Sequence, residues 1–286
     1  MIRLAVLAPI QTSLYSRLVA HLAACEPGVE LAGVLVRTPW TAGRIVAELR
    51  RDGARLLWKV YRKMVLGKNA YGDSDETIRA LAQRVDLPGR TLRDLAAVHH
   101  FPLAVVKDHN NPAAQGLLRE WRPDAVAFTG GGLVRRAVLD IPRIGVINCH
   151  LGLLPRYRGM DVVEWPVLEH TNGEPPAVGL TVHLMDPGVD TGPVLLQRRL
   201  DLRPGDTFAS IRTRIEPLMV KMMLKAIRGL RDGTLSPAAQ RVDDGRQYFV
   251  LHPRMYAYAE SRLRGLAESS ARRGRKSVAR DDGVRN

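Results

Sequence analysis

The chain has 286 residues, of which 45% are apolar, so it can bury a substantial core as one large domain or as a domain with an appendage. It shows neither the roughly 20 consecutive apolar residues of a membrane-spanning helix nor a secretory signal pattern, so we expect a cytoplasmic protein without a transmembrane segment. Cys25 and Cys149 match no CxxC or zinc spacing, which predicts free thiols and no metal site.

The net charge of +14 is concentrated in two parts of the chain. Residues 262–286 contain seven Arg and one Lys against three acids, a contribution of +5, and their low apolar content predicts a disordered basic tail. Residues 44–68 mix cations with apolar side chains at helical spacing, which predicts an amphipathic helix. A solvated helix face is the favoured interpretation. Contact with an anionic partner, either RNA or a membrane surface, is the alternative.

Apolar runs alternate with helical patterns along most of the chain. The predicted strands cover residues 2–8, 31–36, 105–106, 124–128, 145–150, 178–185 and 194–197. Helical spacing follows the first strand, and a long helix is predicted from Phe208 to Leu230, after the N-cap signal that ends at Thr207. The last strands leave little room for helices between them, so we expect the sheet to be mixed, with parallel strands first and antiparallel strands later.

The pattern changes after Gly233, where the long helix is expected to stop. We predict a main domain over residues 1–235, a short C-terminal appendage over 236–264 and the basic tail over 265–286. Earlier in the chain, three consecutive glycines, Gly130 to Gly132, follow a predicted strand. Because glycine tolerates a positive φ, a tight turn is expected there.

Polar side chains cluster where the predicted strand 145–150 ends. Alternation along a strand places Asn148 and His150 on one face and Cys149 on the other. The loop that follows, residues 152–159, is rich in Gly and Pro and can surround a ligand, and strand ends of this kind carry the ligands of α/β proteins. A structural histidine is the alternative interpretation.

A second polar element lies in the turn formed by residues 185–192, which contains the carboxylates Asp186 and Asp190. Asp and Gly favour such turns for conformational reasons alone. If Asp190 lies beside His150, however, the pair can handle protons, and an amide such as that of Asn148 adds a hydrogen-bond donor. Such a trio suits acyl transfer to an amine without a covalent enzyme intermediate.

These residues resemble the signature of the folate-dependent formyltransferases, the group that includes glycinamide ribonucleotide, methionyl-tRNA and sugar-nucleotide enzymes. Residues 147–159, INCHLGLLPRYRG, are similar to the family pattern N-x-H-x-S-L-L-P-x-Y-R-G, with Gly152 where serine is common. A second match runs through GLTVHLMD and VDTGPVL, residues 179–186 and 189–195. The resemblance covers roughly residues 124–233 and implies a Rossmann-like formyltransferase fold.

By that resemblance, Asn148, His150 and Asp190 occupy the three catalytic positions. Gly131, Gly132 and Leu133 fall where the family's loop contacts the folate through its backbone, and Asp186 is grouped with them because it is expected to shape the same loop. The implied reaction is direct attack of an amine on the formyl carbon of 10-formyltetrahydrofolate. Asn148 and His150 would hold the oxyanion, while Asp190 orients and charges His150.

The acceptor is predicted by elimination among known classes. The first strand is followed by Ala8-Pro9-Ile10-Gln11-Thr12 rather than a phosphate loop, which disfavours a purine ribonucleotide. The residues after Gly233 are expected to be too few and too charged for the C-terminal barrel of the methionyl-tRNA enzymes. An amino-sugar nucleotide or another small amine is therefore the leading class. Methionyl-tRNA formyl transfer, formyltetrahydrofolate hydrolysis and a non-catalytic basic scaffold that binds nucleic acid or a membrane are the alternatives.

Overall fold

The computed structural model describes residues 1–38, 76–171 and 176–266. The predicted basic helix 44–68 and all but the first two residues of the predicted tail 265–286 lie outside the described residues. Within the described part of the chain, no helix is both long enough and apolar enough to cross a bilayer.

A seven-stranded mixed sheet forms the centre of the molecule, and a second, two-stranded sheet lies beside it. Among the described residues, the nine strands in chain order are β1 Ile2–Ala8, β2 Val29–Arg37, β3 Leu103–Val106, β4 Ala125–Phe128, β5 Gly145–His150, β6 Tyr157–Gly159, β7 Gly179–Leu184, β8 Val194–Arg199 and β9 Arg246–Tyr248. The large sheet has the order β3-β2-β1-β4-β5-β7-β8, and β6 pairs with β9. Strands β1 to β5 are mutually parallel, whereas β7 and β8 are antiparallel to their neighbours, as the sequence predicted.

Most helices begin at a side chain that caps their first amides. In chain order, the helices are α1 Leu14–Ala24, α2 Ile78–Arg84, α3 Leu92–His99, α4 Pro112–Trp121, α5 Arg136–Leu139, α6 Trp165–Leu168, α7 Phe208–Arg231 and α8, residues 253–266. Ser, Thr or Asn oxygens accept an amide hydrogen at the starts of α1, α2, α3, α4 and α7. Thr207 caps α7, as the sequence indicated.

The core has two layers because the parallel strands are buried on both faces. In β1, Leu4 and Val6 belong to the larger apolar cluster, which includes side chains of α1 and α7. Ala5 and Leu7 belong to the other cluster, together with Leu118 of α4. Helices therefore cover both faces of a mostly parallel sheet, which confirms the predicted α/β, Rossmann-like architecture.

The predicted C-terminal appendage packs directly on this architecture. Ala259 and Leu263 of α8 are fully buried in the larger cluster, and Tyr256 contacts the ring of Phe208 with centroids 5.5 Å apart. Strand β9 pairs with β6, so the backbone amide of Met160 donates to the carbonyl of Tyr248. The boundary near residue 235 stays a prediction.

One buried ion pair joins α7 to the chain before α6. The Glu164 carboxylate is completely buried, and Nη2 of Arg212 lies 2.8 Å from each of its oxygens. Both oxygens therefore receive a hydrogen from one guanidinium, whose own side chain is 29% exposed. A charge at this depth depends on its partner, because it has lost its solvation by water.

Candidate active site

The candidate site lies where β4 and β5 end. The two strands are parallel neighbours, and Phe128 at the end of β4 pairs with Asn148 of β5. The chain leaves β4 through Gly130, Gly131 and Gly132, whose φ angles of +117°, +122° and +100° explain why three glycines stand there. The predicted turn is therefore present, and it lies beside the strand that carries Asn148 and His150.

The antiparallel neighbour β7 supplies a second histidine to the site. In the β5–β7 register, Asn148 lies opposite His183 and His150 lies opposite Thr181. The Asn148 Nδ2 atom is 3.2 Å from His183 Nε2, and the two imidazole rings meet edge to face with centroids 6.4 Å apart. His150 and His183 are both buried. The site therefore contains two histidines, His150 and His183, near Asn148, where the sequence predicted one.

Asp190 lies between the two imidazoles. Its Oδ2 is 3.5 Å from His150 Nδ1, and its Oδ1 is 3.5 Å from His183 Nε2. The Gly159 amide donates to Oδ2 at 2.9 Å, and Asp190 itself has a left-handed φ of +54°. The structure therefore brings Asn148, His150 and Asp190 together, and it adds His183.

Carbonyl partners decide which imidazole nitrogens carry hydrogen. Because a carbonyl only accepts, His150 Nε2, 2.9 Å from the Tyr157 carbonyl, is protonated, and so is His183 Nδ1, 2.9 Å from the Leu184 carbonyl. In the neutral rings, the lone pairs of His150 Nδ1 and His183 Nε2 then face Asp190. A proton that enters this site is stabilised by the carboxylate, so the cluster is built to accept one.

The pKa values agree with this arrangement. Burial opposes ionisation of Asp190, but the Gly159 amide and, once a proton is bound, the hydrogen bond from His183 and the charge of His150 hold the pKa of Asp190 below its usual value. Burial lowers the pKa of His150, while Asp190 and the Tyr157 carbonyl oppose that change. At neutral pH the carboxylate is therefore ionised and the His150 ring is neutral, ready to take up a proton.

Thr181 of β7 holds the loop that follows β5. The Thr181 hydroxyl donates to the Gly152 carbonyl at 2.7 Å and accepts from the Leu154 amide at 3.1 Å. Gln197 of β8 donates to the Leu154 carbonyl as well. These bonds hold the loop that carries the Tyr157 carbonyl, and that carbonyl in turn orients His150.

The structure explains why glycine occupies position 152, where the family pattern commonly has serine. A Cβ atom at this position would overlap the Tyr157 carbonyl oxygen and lie 2.8 Å from His150 Nε2. The loop therefore has no room for a side chain where serine is common. The serine-to-glycine difference changes the packing around His150 as well as removing a hydroxyl.

We expect Gly152→Ser, although it restores the family residue, to lower kcat/KM about 10- to 100-fold, because the Tyr157 carbonyl must move and release His150. Steady-state kinetics of the variant measure this effect. Gly116→Ser is the matched control, since a Cβ atom there has no neighbour within 4 Å. Equal activity of the two variants would show that the loop adjusts without disturbing His150.

The residues predicted to contact the cofactor lie around the same site. Asp186 accepts from the Thr191 hydroxyl at 2.7 and 2.9 Å and from the Gly188 amide at 3.1 Å, so in this structure it shapes the Asp190 turn. Leu133 is 79% exposed beside the glycine turn. Gly131 and Gly132 retain accessible backbone there. A ligand can approach the turn through its main chain.

Sequence reasoning missed three polar residues near this site. His183 shares a face of β7 with Thr181, and the period-two pattern of residues 179–184 could have revealed it. Arg37 and His109 flank the glycine turn, since Cβ atoms at Gly132 and Gly131 would lie 2.7 Å from Arg37 Nη1 and 2.8 Å from His109 Cε1. Burial lowers the pKa of His109 to about 4. Their sequence neighbourhood carries no motif.

The comparison with protein families agrees with this geometry. A sequence profile described as formyl transferase matches residues 71–227, just over half of the chain. The chain belongs to the formyl transferase family. The matched range contains the glycine turn, the strands β5 and β7, the Asp190 turn and most of α7. The family resemblance inferred from the two motifs is therefore confirmed.

Curated relatives in the formyl transferase family are similar over a little more than half of the chain. The methionyl-tRNA formyltransferase of Pelobacter propionicus is 32% identical over 179 residues, which cover 59% of this chain and 54% of that protein. The methionyl-tRNA formyltransferase of Pseudomonas syringae pv. syringae is 36% identical over 172 residues, covering 57% and 54%. The chain thus spans about half the length of the curated relatives it matches.

Solved formyltransferase structures share the fold at lower identity. Glycinamide ribonucleotide transformylase 1 from Symbiobacterium toebii superposes with a TM-score of 0.51 at 22% identity, covering 84% of this chain and 95% of that one. A sugar N-formyltransferase from Shewanella sp. FDAARGOS_354 gives 0.53 at 13% identity, covering 92% and 88%. These similarities support the fold predicted from the sequence.

Proposed function

We propose that this member of the formyl transferase family transfers a formyl group from 10-formyltetrahydrofolate to an amine. The observation that carries the proposal is the buried cluster in which Asp190 faces His150 Nδ1 and His183 Nε2 at 3.5 Å, next to the Asn148 amide. A proton acceptor beside a hydrogen-bond donor is what addition of an amine to a formyl carbon requires.

The Asn148 amide suits the oxyanion. An amide nitrogen carries two hydrogens, and one of them points to His183 Nε2. The other can donate to the formyl oxygen as it becomes negative during attack of the amine. In a partly buried site such a donor stabilises the charge more strongly than water does. The half-buried position of Asn148, at the exposed side of the cluster, supports this role.

His150 is better placed as a proton acceptor than as an oxyanion donor. Its Nε2 hydrogen is engaged by the Tyr157 carbonyl, and its Nδ1 lone pair faces Asp190. As the amine forms the new C–N bond, its surplus proton passes to this pair, directly or through water. Collapse of the tetrahedral adduct then breaks the bond to folate N10, which takes up a proton as tetrahydrofolate leaves.

The folate fits the glycine turn chemically. The chain after β4 offers main-chain groups at Gly131 and Gly132, and any larger residue at these positions would meet His109 or Arg37. We assign these two residues and Leu133 to the folate, as the resemblance implied. Asp186 contributes by holding the Asp190 turn in shape.

Two acceptor classes follow from different observations. Methionyl-tRNA is supported by the curated relatives, which exceed 30% identity over the shared region. An amino-sugar nucleotide or another small amine is retained as the second class on the sequence argument alone. We place methionyl-tRNA first for testing, although the sequence alone favoured the small amine.

The deciding experiment follows tetrahydrofolate release from 10-formyltetrahydrofolate spectroscopically. Methionyl-tRNA, a panel of amino-sugar nucleotides, other small amines and a reaction without acceptor are compared, and formylated product is identified by mass. Release that depends on one acceptor establishes transfer and identifies its class. Release without any acceptor indicates a hydrolase. Absence of both tetrahydrofolate release and folate binding would contradict the proposal and favour a non-catalytic scaffold.

A further inference from the structure

Three potential metal ligands meet on the side of the molecule formed by α1 and α3. His21 and Cys25 are four residues apart at the C-terminal end of α1, so they lie on one face of the helix. His99 is the last residue of α3. His21 Nδ1 lies 2.9 Å from His99 Nε2 and 4.0 Å from Cys25 Sγ, and the three atoms all lie within 4.8 Å of one another.

A carbonyl orients the central ligand. His21 Nε2 is 3.2 Å from the Val85 carbonyl, so this nitrogen carries the hydrogen of the neutral ring and Nδ1 presents its lone pair to the other two groups. A histidine that ligates a metal almost always donates its second N–H to a carbonyl or carboxylate in this way. This contact leaves His21 Nδ1 available as a ligand atom.

The distances suit a small tetrahedral ion. With Zn–N bonds of about 2.0–2.1 Å and a Zn–S bond of about 2.3 Å, tetrahedral ligands lie roughly 3.3 Å apart for two nitrogens and roughly 3.6 Å apart for nitrogen and sulfur. The observed separations of 2.9 and 4.0 Å differ from these by a few tenths of an ångström, and the ligand atoms of His99 and Cys25 lie within 4.8 Å of each other. Rotations of exposed Cys25 and half-buried His99 would bring the three ligand atoms to these separations.

The ligand set also suits zinc by its chemistry. Two imidazoles and one thiolate are nitrogen and sulfur donors, the combination that binds Zn²⁺ and disfavours Mg²⁺ and Ca²⁺. The cluster is buried on the His21 side and open on the Cys25 side, which leaves space for a water molecule as fourth ligand. The absence of a zinc spacing in the sequence is explained, because only His21 and Cys25 are close in the chain.

The cluster is separate from the candidate active site. Helix α1 runs back antiparallel to β1 and therefore ends near the amino ends of the parallel strands, whereas the glycine turn and His150 lie at their carboxyl ends. We propose that His21, Cys25 and His99 bind one Zn²⁺ ion, with water as the fourth ligand, and that this ion ties α1 to α3. The proposed ion has no part in formyl transfer, and its expected effect is on the stability of the folded chain.

The test uses the full chain, freed of metal with a chelator and kept reduced. Competition with a chromophoric chelator is expected to show one tightly bound Zn²⁺ per chain, and added Zn²⁺ is expected to raise the Tm because it binds the folded state. Bound Co²⁺ should give the visible bands of a tetrahedral ion and a thiolate-to-metal charge-transfer band in the near ultraviolet. These spectra report the ligands without any measurement of activity.

Variants distinguish this site from unspecific binding. Cys25→Ser should abolish the charge-transfer band, and His99→Gln should weaken Zn²⁺ binding about 10-fold or more, with both variants folded by circular dichroism. His100→Asn is the matched control, since His100 is exposed beside His99 and has a left-handed backbone that asparagine tolerates. Zn²⁺ binding that is equal in all four proteins would overturn the proposal, as would a Co²⁺ complex of wild type without sulfur charge transfer.

Discussion

An Asp190→Asn variant is expected to lose about 10²- to 10⁴-fold in kcat/KM for formyl transfer while it still binds the folate. The amide removes the charge that stabilises a proton on His150 or His183, but it keeps the size of the side chain. Folate binding survives because we assign it to the main chain of the glycine turn. Stopped-flow or steady-state kinetics and a folate-binding titration measure the two properties separately.

The pH dependence of kcat/KM tests the role of Asp190 independently of the loss of activity. Asp190 raises the pKa of His150 against the lowering caused by burial, so its replacement lets that pKa fall further. The neutral ring then persists to lower pH, and the acid limb of the kcat/KM profile should move to lower pH in the variant. His150→Ala should remove the limb together with the activity. Near-normal formyl transfer by Asp190→Asn or His150→Ala would refute the assigned roles. Asp140→Asn, which changes an exposed carboxylate, is the control.

The largest expected effect on stability follows from breaking the pair of Glu164 and Arg212. Arg212→Met leaves a fully buried carboxylate without its partner, which should lower the free energy of unfolding by about 3–5 kcal/mol. Urea denaturation followed by circular dichroism measures the change. For a domain of this size the Tm should fall by about 6–20 °C.

Another arginine on the same helix serves as a matched control for this prediction. Arg228 pairs with Glu26 at 2.6 Å, but its side chain is 53% exposed, so Arg228→Met should cost no more than about 1 kcal/mol. The double variant Glu164→Gln with Arg212→Met should recover part of the lost stability, since it removes the buried charge. Equal losses in Arg212→Met and Arg228→Met would mean that the buried pair contributes no more than a surface pair.

Most of the fold could be predicted because its signals are local. The apolar run of β1 and the long stretch of helical periodicity in α7 are visible in the sequence. The short segment between β7 and β8 indicated that this end of the sheet is antiparallel. The strands β6 and β9 could not be predicted. Each has three residues, and their pairing joins parts of the chain that only the tertiary structure brings together.

The candidate site was predictable in part for the same reason. Strand alternation was enough to pair Asn148 with His150, but Asp190 needed the family resemblance, because it reaches His150 from the turn between two antiparallel strands. His183 lies within the motif GLTVHLMD, but the sequence assigned it no catalytic role. The cluster of His21, Cys25 and His99 joins two helices, and no local spacing reveals such a contact.

The position of helix α8 bears on how the chain acquires its active conformation. Its buried residues Ala259 and Leu263 complete the same apolar cluster that begins with β1, so the first and last described segments close one core. Strand β9 also supports β6, whose Gly159 amide holds Asp190. Because synthesis proceeds from the N-terminus, we expect the cluster of Asn148, His150, His183 and Asp190 to reach its final geometry only after these late residues have left the ribosome.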